Sequence, residues 1–356
     1  LGDVYKRQGD TRPAEAKQTT KFINHLKPKT TMTYLENSKQ YTGSDLENIF
    51  FRPMLTGESA QDLGVRVLYN MPQPTHVQLW DGQRNILQKF TSAGWAGGKA
   101  ATKYEKTVNL NRVKAELGFS AANYFSMVYE KVSSLVNTHM DDLSGTELEQ
   151  AETALFKQAL AENIRVTMWI GDTSAASGYN TFDGLLKRIN GLVDDDGVYN
   201  FSYQAAALED PAYVVELFDK LWAGADPRIP GLKADDRLAY FVSSDIYRLY
   251  EKYLDAKGAD AAYADAMNGR RTLAYHGIPV VDVRLGSYLG ATSFRQSFVM
   301  LTDRRNLVLA VNTADMPGNE VRMWYNPDEM ENRQRAVFMA GTQILDEALI
   351  SFAYKQ

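Results

Sequence analysis

Residues 144 to 171 read SGTELEQAETALFKQALAENIRVTMWIG. Ser144, followed three residues later by Glu147, has the form of a capping box, in which the hydroxyl takes one orphan amide and the carboxylate returns to the cap amide. Leu148, Ala151, Leu155, Ala159, Ile164 and Met168 then recur at mostly three- and four-residue steps, with Glu149, Lys157 and Glu162 between them. That is the period of an amphipathic helix with one packed face and one wet face. At 1.5 Å per residue the run predicts a helix about 40 Å long, against a mean of about 11 residues, so it can act as a beam across a whole domain.

The rest of the chain is of ordinary globular composition. It has 356 residues, 44% hydrophobic and 23% charged, which suggests two or three domains' worth of core. A formal charge of −5 and a pI near 5.6 argue against whole-surface binding of nucleic acid, which needs many phosphate-neutralising cations. There is no cysteine, hence no disulfide, thiolate metal site or cysteine nucleophile. No apolar run approaches about 18 residues and no signal-peptide pattern is present, so no membrane partner is expected.

On the upstream side, the first eight residues, LGDVYKRQ, have the look of a translated sequencing adapter and are set aside as an artefact. From Gly9 to about Gly57 the text is polar and Thr- and Lys-rich, with Pro13, Pro28 and Pro53 as breakers, and reads as an extended arm. Between Gly9 and Lys39 it carries six Lys or Arg against three Asp or Glu. Val65–Tyr69, Thr75–Trp80, Ile86–Phe90 and Tyr104–Leu110 are strand-like, and the last pair flanks a glycine-rich tip from Thr91 to Ala100. A long two-stranded loop is expected. From Asp81 to Glu116 it holds seven Lys or Arg against three acids, so the protrusion is basic. A helix over Ser120–Val136, capped by Ser120, precedes the beam. Asp141, Asp142, Glu147, Glu149, Glu152 and Glu162, set against Lys157 and Arg165, make the beam acidic where the protrusion is basic.

Downstream, the Gly- and Ser-rich break from Thr173 to Tyr179 leads into alternating helices and strands. Asp210-Pro211 opens a helix to about Trp222. Leu238–Val242 is a strand, and Ser243 or Ser244 caps a helix with Ile246, Leu249, Tyr250, Tyr253 and Leu254 on one side. Ile278–Val283, Ser297–Leu301, Leu307–Val311, Val321–Tyr325 and Arg335–Met339 are further strands, which makes the segment α+β.

Chemistry-bearing patterns are few. A phosphate loop needs Gly, four residues, then Gly-Lys-Ser/Thr; counting back from Gly98-Lys99 puts Ala93 at the first glycine and Ala100 at the hydroxyl, so the motif fails at both ends. His25, His76, His139 and His276 are far apart, and a single His139/Asp142 pair is short of the three ligands of a catalytic zinc. Asp194-Asp195-Asp196-Gly197 would need Leu192 as the first calcium ligand and reads instead as a solvated turn. No Gly-x-Ser-x-Gly elbow occurs. No catalytic residue, metal ligand or cofactor is expected; carboxylates distant in sequence leave a soluble hydrolase as an alternative of another class.

An arm, a long β-hairpin, a beam helix and then an α+β domain with late strands resembles the major capsid proteins of tailed phages, the Hong Kong 97-type shell fold. The likeness is carried by NLNRVKAELGF (Asn109–Phe119), AENIRVTMWIGD (Ala161–Asp172), YFVSSDIYRLYEKYL (Tyr240–Leu254), YHGIPVV (Tyr275–Val281) and AVFMAGTQILD (Ala336–Asp346). The resemblance implies an arm over 9–62, an extended loop over 63–115, a peripheral domain over 116–172 and 320–345, and an axial domain over 173–319 and 346–356. It implies a non-enzymatic subunit that self-assembles as hexamers and pentamers into the icosahedral head of a double-stranded DNA phage, located in the virion and built in the host cytoplasm. Scaffolding, portal and decoration proteins are further implied partners, with packaged DNA touched non-specifically. An encapsulin-type compartment enclosing a cargo enzyme is the alternative within the same fold. Because charge complementarity fixes register between copies, the basic loop with Trp95, Lys99, Lys103 and Lys106 is expected to lie over the acidic helix face with Glu149 and Glu152 of a neighbour.

Overall fold

The computed structural model describes residues 39–52, 64–71, 75–80, 103–120, 147–193, 197–233, 236–257, 273–289, 296–312, 319–326, 328–329 and 331–356. In chain order these form β1 (Lys39–Tyr41), α1 (Gly43–Asp45) running into a π-turn (Leu46–Phe51), β2 (Arg66–Tyr69), β3 (Thr75–Trp80), β4 (Lys103–Val108) and β5 (Asn111–Ser120). Then come α2 (Glu147–Ile170), α3 (Leu185–Asn190), β6 (Tyr199–Tyr203), α4 (Tyr213–Ala223), α5 (Ile229–Lys233), β7 (Leu238–Val242) and α6 (Ser244–Ala256). The last part holds β8 (Leu273–Tyr275), β9 (Ile278–Asp282), α7 (Gly286–Leu289), β10 (Phe298–Asp303), β11 (Leu307–Asn312), β12 (Glu320–Asn326), β13 (Glu331–Ile344) and β14 (Ser351–Lys355).

Two six-stranded sheets carry the molecule. The first runs β1-β12-β13-β11-β2 with β5 on β13; the second runs β6-β14-β10-β7-β9-β8. β13 is the spine of the first. Residues 331–337 of β13 pair with β12 while 331–340 pair with β5, and 339–344 pair with β11, so β12 and β11 share the edge opposite β5. Asn312 lies opposite Met339 and Glu320 opposite Val337, so the chain leaves the ladder between them and rejoins it one rung later. β13 alternates half-buried and buried from Glu331 to Ala340, with Ala336, Phe338 and Ala340 inward and Arg333 and Arg335 outward, as a sheet with one packed face requires.

Helix α2 packs on the inward face, and its last turn is wedged between the two sheets. Val166, Met168, Trp169 and Ile170 are buried on all sides, with the Trp169 ring 5.7 Å from Phe241 of β7 and 6.3 Å from Phe298 of β10. One core therefore runs from Phe338 of the first sheet through Phe156, Leu160, Ile164 and Trp169 to Phe241 and Phe352 of the second. The second sheet is covered on its other face by α4 and α6, through Leu217, Phe218, Leu221, Ile246 and Tyr250. Burial on both faces is why β7 and β10 are apolar runs without alternation.

Two expectations are corrected. Ile164 and Met168 of the expected α2 stripe are buried, but Leu155 and Ala159 are half-buried, and the packed row ahead of Ile164 is Glu152, Phe156 and Leu160. Phe156 and Phe338 belong to the same buried core. The expected arm does not run extended to Gly57, since β1 pairs with β12 and Leu46, Phe50 and Phe51, in the helical turns after it, are fully buried. Ser243 is the N-cap residue of α6, as expected, but its hydroxyl donates to Asp245 and accepts from the Phe298 amide of β10 in place of a helix amide. Ser120 is the last residue of β5; the helix expected after it over 121–136, with Ser144, Ile86–Phe90, His25, His139 and Asp194–Asp196, lies outside the described residues.

Two polar knots fix the junctions. Where the chain crosses between sheets, after β10 and after β13, the Asn306 side chain donates to Thr302 and to the Asp346 carbonyl at 2.8 Å and accepts from the Asp346 amide at 2.7 Å. Arg228 closes on the Asp346 carboxylate at 2.7 Å. At the end of α2, Lys187 sits between Asp172 at 2.7 Å and Asp183 at 2.6 Å. Hydrogen bonds from Lys187 and Ser174 pull the Asp172 carboxyl down to about 2. Burial works against ionisation of Asp183, and the bonds from Lys187 and Thr173 outweigh it. Depressed carboxylates contribute stability above the ordinary range and lose it as pH falls through the folded value. The difference in unfolding free energy between wild type and Lys187→Met is expected to be full above about pH 4 and to close toward pH 2. Urea titrations at stepped pH check this; a difference that held constant down to pH 2 would refute it.

Candidate assembly surface

The hairpin starts from a firm base. β3 and β4 pair from Thr75↔Val108 to Trp80↔Lys103. Val77, Val108 and Leu110 pack on Val308, Ala310 and Leu345, with Leu68 and Met339 at the margin, on the face of the first sheet away from α2. The Gln343 side chain donates to the Thr107 carbonyl at 2.8 Å, and Lys106 pairs with Glu347 at 2.8 Å. The base is thus tied to its own subunit at the crossing after β13. The described pairing ends at Trp80↔Lys103, and residues 81–102 between the two strands lie outside the described residues.

Of the residues singled out in the sequence, Trp95 and Lys99 lie outside the described residues. Lys103 is placed as the first residue of β4, and Glu149 lies in the first turn of α2; their side chains lie outside the described residues. Lys106 is held within its own chain by Glu347. Glu152 is 1% exposed, on the row that faces the sheet, so it does not belong to a wet acidic face. On the outer side of α2, Glu162 accepts from Arg165 and from Tyr288. The described part of the helix is therefore less acidic at its surface than its composition, because helical period and not charge decides which carboxylates reach solvent.

Beside the hairpin base the same sheet face is uncovered among the described residues. Gln40, Arg322, Arg335 and Glu116 lie side by side across four strands. Trp324 stands between the guanidinium groups of Arg322 at 5.9 Å and Arg335 at 5.7 Å. Arg335 pairs with Glu320, Arg333 with Glu329 and Glu331, and Lys114 with Glu116 at 2.8 Å. The sequence reading missed this face because Asn332 and Gln334 point inward and are buried, which hid the alternation of β13 outside Arg335–Met339. The signal present was the inward series Ala336, Phe338, Ala340 with charges between and before it. Among the described residues no three His, Asp or Glu side chains come together as a metal site would require, and no helix is long and apolar enough to cross a membrane.

No protein-family model matches the chain, and no curated protein matches it. Among solved structures, a chain of the procapsid of satellite phage P4, determined with its size determination protein, aligns at 11% identity and a TM-score of 0.52 over 86% of this chain and 90% of that one. A chain of Gordonia phage Cozz aligns at 11% identity and a TM-score of 0.44 over 99% of each chain. A chain of the holo-SrpI encapsulin complex of Synechococcus elongatus aligns at 9% identity and a TM-score of 0.41, over 81% and 84%. This chain has the Hong Kong 97-type capsid fold.

Proposed function

We propose that this chain is a structural subunit that tiles with copies of itself, as hexamers and pentamers, into the icosahedral head of a tailed double-stranded DNA phage. The carrying observation is the fold shared with the procapsid chain, joined to a paired β3–β4 base that packs on its own sheet. A subunit that must bind many neighbours through weak contacts needs such a rigid body and a projecting element, because register then follows from geometry and complementary charge. In this reading Trp95, Lys99 and Lys103 reach a neighbour's helix near Glu149, and the buried Glu152 takes no part.

The test is electron microscopy of the expressed chain, with closed shells expected. A protein that stays monomeric under all assembly conditions and turns over a substrate would replace this reading with the hydrolase. Reversing Lys99 and Lys103 to Glu is expected to lower particle yield at least about tenfold, since like charges placed at a contact cost several kcal/mol; unchanged yield would remove the hairpin contact from the proposal.

A further inference from the structure

Three arginines meet where the chain crosses from the second sheet to the first. Arg304 and Arg305 lie in the short turn Arg304–Asn306 between β10 and β11, and Arg66 opens β2, opposite Val308 of β11. The Arg304 amide donates to the Arg237 carbonyl at 2.9 Å, which holds the turn against the start of β7. Gly64, two residues before Arg66, has φ +82°, and a Cβ there would stand 3.2 Å from Cδ of Arg304 and 3.5 Å from its Nε. The Arg304 stem therefore lies across the glycine, where a side chain would push it away. Two residues of extended chain cover about 7 Å, so Arg304 and Arg66 share one corner of the sheet. Arg66 is exposed there, and β2 is the end strand.

Among the described residues, Asp303 is the one carboxylate paired with any of the three. It accepts from the Arg305 amide at 2.8 Å and from the Arg305 guanidinium at 3.0 Å, so that charge is balanced within the turn. Arg304 and Arg66 have no such partner among the described residues, and Nε of Arg304 is buried without an acceptor. The chain has 44 Asp and Glu against 39 Lys and Arg, so acids are not in short supply. Like charges set side by side repel, and a buried donor without an acceptor costs its desolvation. An anion from outside the chain removes both penalties. All three positions are arginine, whose parallel N–H donors take an oxyanion two oxygens at a time. A carboxylate fills a single fork, whereas a phosphate group brings three acceptor oxygens and about two charges, enough for two guanidinium groups. We propose that Arg304 and Arg66, flanked by Arg305, bind a phosphate group. The site is complete within one chain, so it goes beyond the self-assembly reading and does not depend on it. A formal charge of −5 argues against phosphate binding over the whole surface and leaves room for it at one such corner. Free polyphosphate and the backbone of a nucleic acid both present this chemistry.

The experiment measures binding to the full chain, as subunit or as shell, at matched ionic strength. Sodium tripolyphosphate is titrated by calorimetry, a fluorescent DNA duplex by anisotropy, and a hexaglutamate peptide serves as the carboxylate competitor. Arg304→Gln and Arg66→Gln are each expected to weaken a bound phosphate probe at least about tenfold, the loss of one charge-assisted pair. Arg66→Gln, at an exposed strand position, keeps the test decisive should Arg304→Gln fold poorly. Arg322→Gln, at an exposed arginine of β12 that also has no carboxylate partner among the described residues, is the control and is expected to change affinity less than about twofold. Tripolyphosphate bound alone would support the site and assign free polyphosphate as its source. The duplex bound alone would support it and assign the backbone, with the slope of log affinity against log salt falling by about 0.9 in Arg66→Gln; both bound would support it for either source. Binding of neither probe, an equal loss in Arg322→Gln, or hexaglutamate displacing a probe as well as phosphate does would overturn it. Shells are scored separately by microscopy, and their absence would remove the self-assembly reading and leave the phosphate site standing.

Discussion

Trp169→Ala is expected to be among the most damaging single changes in this protein, lowering unfolding free energy by about 3–5 kcal/mol. The side chain is fully buried at the end of α2, against Phe241 and Phe298 of the second sheet, while the helix that carries it lies on the first. Truncation removes the transfer free energy of the ring and leaves a void that neither sheet can close, because each is held by its own ladder. Trp169→Phe is expected to lose roughly half as much, since most of the contact volume stays. The indole N–H has no acceptor among the described residues, so the phenylalanine forfeits no hydrogen bond there. Urea unfolding of the monomeric chain measures both; equal losses for Ala and Phe would show that the ring's bulk is not what joins the sheets.

The second large effect is expected at Gly171, where α2 ends. A Cβ there would stand 2.2 Å from the Phe182 carbonyl oxygen and 2.6 Å from that of Thr167, both backbone atoms. Gly184 faces it, with its amide donating to the Gly171 carbonyl at 2.8 Å. The chain must pass this close for Asp172 to reach Lys187, so Gly171→Ala is expected to cost about 3 kcal/mol, the upper end for overpacking where nothing flexible can yield. Gly231→Ala is the control: its Cβ would meet nothing within 4 Å, and a helical position gains up to about 1 kcal/mol from the exchange. If both variants melted alike, the close approach would not be a constraint.

These two positions also show what a sequence discloses and what it withholds. The beam, the hairpin strands Thr75–Trp80 and the strand Leu238–Val242 were readable because each is either strongly periodic or a short apolar run bounded by turn residues. The rotation of the beam was not, because its stripe could be drawn through leucine and alanine or through Phe156 and Leu160, and only the partner sheet selects between them. β13 was read at five of its 14 residues, since inward-pointing Asn332 and Gln334 make a buried strand look wet. Arg228 and Asn306 carried no local signal, being tied to Asp346 across 118 and 40 residues. The surface proposed for assembly was legible as charge bias alone; which charges stay within the subunit, as Lys106 and Glu152 do, depends on contacts far apart in the chain.

The interrupted ladder along β13 has a practical corollary. Because β11 and β12 occupy successive stretches of one edge and rejoin it a single rung apart, each is held by its own pairings with β13. A foreign peptide spliced between Thr313 and Gly318 would enter where no rung of that ladder has to be rewritten. An insertion there is expected to leave both sets of pairings in place.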